Sequence, residues 1–306
     1  LLFQHFDHDH PPSELLSSHH TTHNYLKKEM TQNKGARLQG KVAIITGAGS
    51  CSSVPGTGQA TSILFAREGA KVLLVDRNRD NALKTLNTIR QEGGEASIFI
   101  ADISKKADCQ AIVSMVSARY GALHILFNNV GISRPGTVVD VEEESWDLVL
   151  DVNLKSMMLT SKYAIPQMIE AGGGSIINVS SVVAQRAGWR ENISYAAAKG
   201  GVNAITKNMA VHHGRDNIRV NAIAPGHIHA SLVDHIPDEV RNLRRRTGPL
   251  GSEGTAWDVA WAALFLASDE SRWVSGTVLP VDAGTLAASP LSILPHLQQE
   301  DQKNEK

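Results

Sequence analysis

The sequence predicts an α/β protein built on a doubly wound parallel sheet of about seven strands, with helices on both faces. Three observations carry this. From about Gly40 onward, short β-branched runs alternate with longer amphipathic segments, the order expected of repeated strand–helix units. The runs are almost continuously apolar, as strands buried on both faces must be. No break in composition and no internal repeat divides residues 40–285, so one domain accounts for them.

In chain order, the first strand is Val42–Thr46, which runs through a glycine-rich loop into the helical segment Gly58–Glu68. Lys71–Asp76 ends in an acid and precedes the helical segment Asn78–Glu92. Ala96–Ala101 is followed by Lys105–Tyr120, and Leu123–Asn128 by the long segment Ser145–Ala171. Ser175–Ser180 precedes Ser194–Arg215, Ile218–Ile223 precedes Thr255–Ala267, and Thr277–Val281 closes the set.

Composition narrows the function classes. The chain has 306 residues, 42% hydrophobic and 20% charged, with a formal net charge of −1. That balance argues against general electrostatic attraction to nucleic acid or an anionic membrane. The only cysteines, Cys51 and Cys109, suggest neither a disulfide framework nor a zinc site and fit a reducing, cytoplasmic compartment. No apolar run reaches the length of a membrane span. Residues 1–39 read as a disordered polar extension. They hold His5, His8, His10, His19, His20 and His23 together with Pro11-Pro12. The sequence begins with Leu, and Met30 lies shortly before the first strand, so residues 1–29 read as an upstream extension; no apolar core follows a basic start as in a signal peptide. Residues 287–306 read as a polar tail, mobile from Gln298 onward. No metal site is expected.

The chemistry is carried by two patterns. The first strand leads through Thr46-Gly47-Ala48-Gly49-Ser50 and Cys51–Pro55 to Gly56-Thr57-Gly58, where a helix begins. Glycines at such a turn let a pyrophosphate approach the backbone, and the helix N-terminus supplies oriented N–H groups. Asp76, ending the second strand, can accept hydrogen bonds from ribose hydroxyls and would repel a 2′-phosphate, which favours NAD; the neighbouring Arg77 could bind that phosphate instead. Asp102, at the end of the third strand and followed by Ile103, could meet the adenine edge or serve as a turn or capping residue. The second pattern is Tyr195 and Lys199, four residues apart and so on one helix face. A phenol normally titrates at about 10, and a nearby ammonium lowers that value.

With these residues in place, roughly residues 38–286 resemble the short-chain dehydrogenase/reductase family, a Rossmann-type fold. The family's Thr-Gly-x-x-x-Gly-x-Gly loop is similar to Thr46, Gly47, Gly56 and Gly58, with five extra residues, Cys51–Pro55. Asn128-Asn129-Val130-Gly131 resembles its Asn-Asn-Ala-Gly element, and Pro225-Gly226 resembles its Pro-Gly turn. Asn153, Ser181, Tyr195 and Lys199 match the catalytic positions. Ala230 stands where many members place a threonine beside the nicotinamide. The resemblance implies an NAD(P) site made by Gly47, Gly49, Ser50, Gly56, Gly58, Asp76, Arg77, Asp102, Ile103, Asn129, Gly131, Tyr195, Lys199, Pro225, Gly226 and Ile228. It implies that Ser181 hydrogen-bonds the substrate oxygen and that Tyr195 exchanges a proton with it. Lys199 would lower the phenol and bind ribose, and Asn153 would hold a water that links Lys199 to solvent. Hydride would pass between the nicotinamide and an alcohol or ketone carbon.

Specificity is expected beyond the strand ends, in Ser133–Thr137, Val182–Asn192 and His227–Thr247. Trp189, Val182, Val183 and Ile228 suggest a partly hydrophobic alcohol or ketone. In the last segment His227, His229 and His235 read as loop histidines, and Arg244-Arg245-Arg246 as a solvated helix face. The alternatives are an NADPH-dependent ketone reductase of the same fold and a non-catalytic dinucleotide-binding regulator. Small residues in Ala196-Ala197-Ala198 and Gly200-Gly201, with the family's habit of pairing these helices, suggest a homotetramer or homodimer.

A chain beginning at Met30 is expected to keep the melting temperature of the full chain, because residues 1–29 lack apolar periodicity. Calorimetry of the two forms checks this, and a large loss on truncation would show that the segment docks.

Overall fold

The computed structural model describes residues 36–304; the histidine-rich stretch up to residue 35 lies outside the described residues. Folding starts slightly before the expected boundary. Leu38 is fully buried, and its N–H donates to the Glu68 carbonyl at 2.9 Å.

All seven expected strands form one parallel sheet. They are β1 (Val42–Thr46), β2 (Lys71–Asp76), β3 (Glu95–Ile100), β4 (Ile125–Asn128), β5 (Gly174–Val179), β6 (Ile218–Pro225) and β9 (Val278–Val281). Their order is β3-β2-β1-β4-β5-β6-β9. The order reverses between β1 and β4, the place where such sheets open a crevice at their carboxyl ends. Two short strands, β7 (Ile228–His229) and β8 (Gly254–Thr255), pair outside the main sheet.

Helices α1 (Thr57–Arg67), α2 (Arg79–Gln91) and α8 (Ala256–Ala267) cover one face, and α3 (Lys106–Tyr120) and α5 (Ser156–Glu170) the other. Strand β1 shows why the run is apolar throughout: Ala43 and Ile45 join one core, Val42 and Ile44 the other. Local signals set the helix ends. Asn78 caps α2 by accepting from Asn81 N–H at 3.0 Å. At the start of α8 the Asp258 carboxylate accepts from Thr255 N–H and hydroxyl at 2.6 and 2.8 Å. Helix α3 ends at Gly121, whose φ of 77° suits glycine.

The long segment expected over Ser145–Ala171 is not one regular helix. It comprises α4 (Glu143–Leu150), a π-helical turn over Asp151–Lys155, and α5. Such a turn adds a residue to the helical repeat and is common at functional sites; here it carries Asn153. Helix α6 (Ile193–His213) follows expectation closely, as does its neighbour β6. The polar tail does not remain without structure: Pro290–Asn304 forms α9. Burial of Ile293 docks it, and Arg186 anchors the segment leading into it by donating to the Thr285 and Ala288 carbonyls at 2.7 Å each. Helix α7 (Asp238–Arg246) completes the set. Among the described residues, no helix is long and apolar enough to cross a membrane.

A buried polar chain ties the layers together. Asn128 and Asn178 are register partners on β4 and β5, and the amide of Asn128 donates to Asn178 Oδ1 at 2.9 Å. Thr160 on α5 donates to Asn128 Oδ1 at 2.7 Å, and Asn178 donates to Thr206 on α6 at 3.0 Å. Replacing Asn178 by Ala leaves the Asn128 amide only its long bond to Ser161 Oγ, 3.4 Å, and takes away the donor to the Thr206 hydroxyl. The expected loss is about 2–3 kcal/mol of folding free energy, measurable by urea denaturation; a loss near zero would show that water replaces the network.

Candidate active site

The carboxyl ends of β1, β2, β4, β5 and β6 bring the predicted residues to one edge. The glycine turn after β1 is required by close approach. A Cβ on Gly58 would stand 2.0 Å from the Gly47 carbonyl oxygen, so α1 can start here only with glycine. Gly47 itself has φ 64°. Asn129 locks the turn: its amide donates to the carbonyls of Thr46 and Gly47 at 3.2 Å each, and its Oδ1 accepts from Thr57.

Asp76 is fixed at the same edge. Its two oxygens accept from Gly49 N–H and Asn78 N–H, both at 2.9 Å. A Cβ on Gly49 would lie 2.6 Å from Asn81 Cβ and 3.0 Å from Asp76 Oδ2, so this glycine permits the approach. Arg77 is exposed at the corner, and its charge helps to hold the Asp102 carboxyl below the usual carboxylate range. The larger cause there is Ser104, whose hydroxyl and N–H donate to Asp102 at 2.7 and 3.0 Å. Asp102 thus serves the turn through Oδ1, to which both Ser104 bonds go. Ile103 is buried in the core, and its carbonyl accepts from the Cys109 thiol at 3.2 Å. Ser50 is also engaged locally: its buried hydroxyl donates to the Val54 carbonyl at 2.8 Å, inside the insertion.

The chemical centre lies across the switch point. Ser181 and Ser180 part ways after β5. Ser180 turns inward and donates to Asn203 at 2.6 Å. Ser181 accepts from Val183 N–H at 3.2 Å and lies near enough to Tyr195 to favour its phenolate. Helix α6 carries Tyr195 and, one turn on, buried Lys199, whose Nζ lies 5.6 Å from the tyrosine ring centroid and donates to the Val179 carbonyl at 2.6 Å. Asn153 is fully buried; its amide donates to the Ile132 carbonyl and its Oδ1 accepts from Ile132 N–H, both at 2.8 Å. A Cβ on Gly131 would stand 3.4 Å from Lys199 Nζ and 3.6 Å from Asn153 Oδ1. Gly47, Gly49 and Gly58 thus let the turn pack tightly between Asp76 and Asn129, and Gly131 stands beside Lys199 and Asn153 at the same edge.

Pro225 ends β6, and Gly226 N–H donates to the Val281 carbonyl at 2.9 Å. A Cβ on Gly226 would lie 2.6 Å from Asp282 Cβ. This packing directs the chain into Ile228, which pairs with β8. The following loop is more tied down than expected. His227 contacts the Arg244 carbonyl at 3.3 Å, and His229 pairs with Asp234 at 3.1 Å. Arg244 is not on a solvated face: it is buried, 3.4 Å from the Glu253 carboxylate, and donates to the Ile228 carbonyl at 3.0 Å. Glu253 opposes that buried charge as an ion pair, although Arg244 Nη1 and Glu253 Oε1 lack a hydrogen-bond partner among the described residues.

Asn128, Asn178 and Thr57 escaped the sequence reading as positioning residues. The legible signal was a lone amide inside each of two otherwise apolar strands. A separate cavity of about 180 Å³, lined in part by Lys41, His124, Gly173 and Arg219, lies at the amino ends of the strands and takes no part in this site.

The titration of the pair departs from expectation. Burial pushes the Tyr195 phenol above its ordinary value, opposed by the nearby Ser181 hydroxyl. Burial also lowers the Lys199 ammonium to about 7. The same desolvation that raises the phenol weakens the charge expected to lower it.

The comparisons agree with this geometry. A family model described as enoyl-(acyl carrier protein) reductase matches residues 52–285. The chain is 39% identical over 248 residues to the 3-oxoacyl-(acyl-carrier-protein) reductase FabG of Thermotoga maritima, covering 81% of this chain and 98% of that protein. A crystal structure of a short-chain dehydrogenase/reductase from Burkholderia xenovorans has a TM-score of 0.81 at 38% identity, covering 83% of this chain and all 100% of its own. Carveol dehydrogenase from Mycobacterium avium, solved in complex with NAD, has a TM-score of 0.77 at 28% identity, covering 83% of this chain and 100% of its own. Fold and relatives define an oxidoreductase that uses a nicotinamide dinucleotide. The chain belongs to the short-chain dehydrogenase/reductase family.

Because Lys199 has a folded value near 7 and an ordinary value of 10.5, the unfolded chain holds more protons between these limits. Stability therefore rises with pH across that window. Lys199→Met removes this contribution. From about pH 7 to about pH 9, wild type is expected to gain about 2 kcal/mol relative to the variant in urea unfolding; a constant difference would show an unperturbed ammonium.

Proposed function

We propose that the protein transfers hydride between NAD and the alcohol or ketone carbon of a partly hydrophobic small molecule, with Tyr195 as the proton-exchanging group. The observation that carries this reading is the placement of Ser181, Tyr195 and buried Lys199 together at the end of the glycine turn, with Lys199 Nζ 5.6 Å from the tyrosine ring centroid. A bound nicotinamide dinucleotide would supply the hydride acceptor or donor. Ser181 would orient the substrate oxygen, and Tyr195 would take or give its proton. Lys199, protonated at and below about 7, would stabilise the phenolate and hold the nicotinamide ribose. Asn153 would keep Ile132 and the π-helical turn in place, with a water there that connects Lys199 to solvent.

Asp76 supports NAD through its fixed carboxylate, which would accept from ribose hydroxyls and repel a 2′-phosphate. One observation favours the second reading, an NADPH-dependent ketone reductase: Arg77 is exposed at the same corner, where it could pair with that phosphate. Half-buried Val182, Val183 and Ile228, with Trp189 at 59% exposure, favour a substrate with an apolar body. We further propose a homodimer or homotetramer through α4, α5 and α6, on which Leu148, Met158, Ile169 and Val211 are exposed. The free thiols of Cys51 and Cys109 suit a cytoplasmic setting.

Tyr195→Phe is expected to lower turnover by roughly a hundredfold or more with NADH affinity retained; substantial residual turnover against an alcohol panel would reject the mechanism. Asp76→Ala is expected to weaken NADH binding by roughly tenfold and to narrow the gap to NADPH. Fluorescence titration with both cofactors reads this, and tighter NADPH binding in the wild type would assign the corner to Arg77.

A further inference from the structure

The insertion Cys51–Pro55 interrupts the glycine turn between Gly49 and Gly56, and its contacts are unusual for a surface bulge. It is knit internally: Ser50 donates to the Val54 carbonyl at 2.8 Å, and Val54 N–H donates to Ser52 Oγ at 3.2 Å. Both of its ends then reach across to one residue. Cys51 N–H donates to Ser231 Oγ at 3.2 Å, with Cys51 Sγ 3.1 Å from the same oxygen. Ser231 N–H donates to the Pro55 carbonyl at 3.3 Å. Ser231 Cβ lies 3.7 Å from the position a Cβ on Gly56 would take.

Ser231 directly follows Ile228–Ala230, the stretch that leaves the Pro225-Gly226 turn on the far side of the crevice. That stretch is anchored behind by its pairing with β8 and by the Arg244 bond to the Ile228 carbonyl. One wall of the dinucleotide groove, the glycine turn, is thereby joined to the other, the segment after β6. Three polar contacts to one serine close the span. Each is exposed or partly exposed, so the clasp can open without breaking the core.

We propose that the Cys51–Pro55 insertion and Ser231 form a clasp over the dinucleotide groove that retains the bound cofactor and slows its release. This rests on the nucleotide reading of the glycine turn. Ser231 acts as a positioning residue, since its hydroxyl holds the insertion and is not assigned any contact with reacting atoms. The effect falls on dissociation, because the clasp must part before the cofactor leaves, while in the free chain its three weak, largely exposed contacts open readily enough to leave entry little changed.

The test is stopped-flow displacement of NADH from the full chain, followed by loss of its enhanced fluorescence. Ser231→Ala is expected to raise the release rate at least threefold, and deletion of Cys51–Pro55 at least tenfold, with the association rate within about twofold. A gain-of-function variant guards against a simple folding defect. Ser231→Cys places a thiol against Cys51; with oxidised glutathione the two thiols lose two hydrogens to form a disulfide, and two reduced glutathiones are released. That bond is expected to slow NADH release at least tenfold, with dithiothreitol restoring the original rate. Release unchanged in the alanine and deletion variants, or a disulfide that forms without slowing release, would overturn the clasp. Failure of the disulfide to form would contradict the juxtaposition on which it rests. A wild type that binds neither NADH nor NADPH would overturn the nucleotide reading, and the clasp with it.

Discussion

Lys199 is an amine with no carboxylate partner among the described residues, buried against the end of β5 and donating to the Val179 carbonyl at 2.6 Å. Much of the site's geometry depends on that bond. It ties α6 to the strand end at the point where the chain turns into Ser181, so Tyr195, one turn earlier, faces that serine. Gly131 passes close by: a Cβ on it would meet the same nitrogen at 3.4 Å, an ordinary contact. The burial that makes the contact rigid also makes the ammonium weak, at about 7. Positioning and proton affinity are therefore set by one packing decision.

A second constraint acts at the other end of the crevice. The 2.0 Å clearance between Gly47 and a hypothetical side chain at Gly58 allows α1 to point its N-terminus at the strand end. The Asn128–Asn178 pair then fixes the register of β4 against β5, which sets the distance between Asn129, on the nucleotide side, and Ser181, on the chemical side. Loops vary around this frame. The insertion after Ser50 and the helix after residue 290 add contacts to it without altering strand order.

The frame was legible in the sequence because parallel strands buried on both faces have a simple signature, and all seven strands appeared within a few residues of their places. Tyr195 and Lys199 were legible because helical spacing puts them on one face behind a glycine-rich strand–helix turn, and Ser181 because it matches the family's serine position. Other features were not. The π-helical turn at Asp151–Lys155 leaves no mark in hydrophobic periodicity, since one extra residue is absorbed locally. The role of Asn178 depends on a register partner fifty positions away. Arg244 looks like part of a solvated basic run until Glu253 is seen to meet it. The tail helix was missed because its docking relies on one buried isoleucine, with Arg186 anchoring the segment before it, rather than on a continuous apolar face.

The central claim is that this site passes hydride between a nicotinamide and a carbinol carbon while Tyr195 exchanges the proton. The most direct measurement is mass spectrometry of products formed with NADH deuterated at the transferring C4 position, across a panel of cyclic and open-chain ketones. The account requires deuterium on the new carbinol carbon, in step with NADH consumed. NADH that binds tightly but is never consumed by any member of the panel, or deuterium that is lost to water, would contradict it.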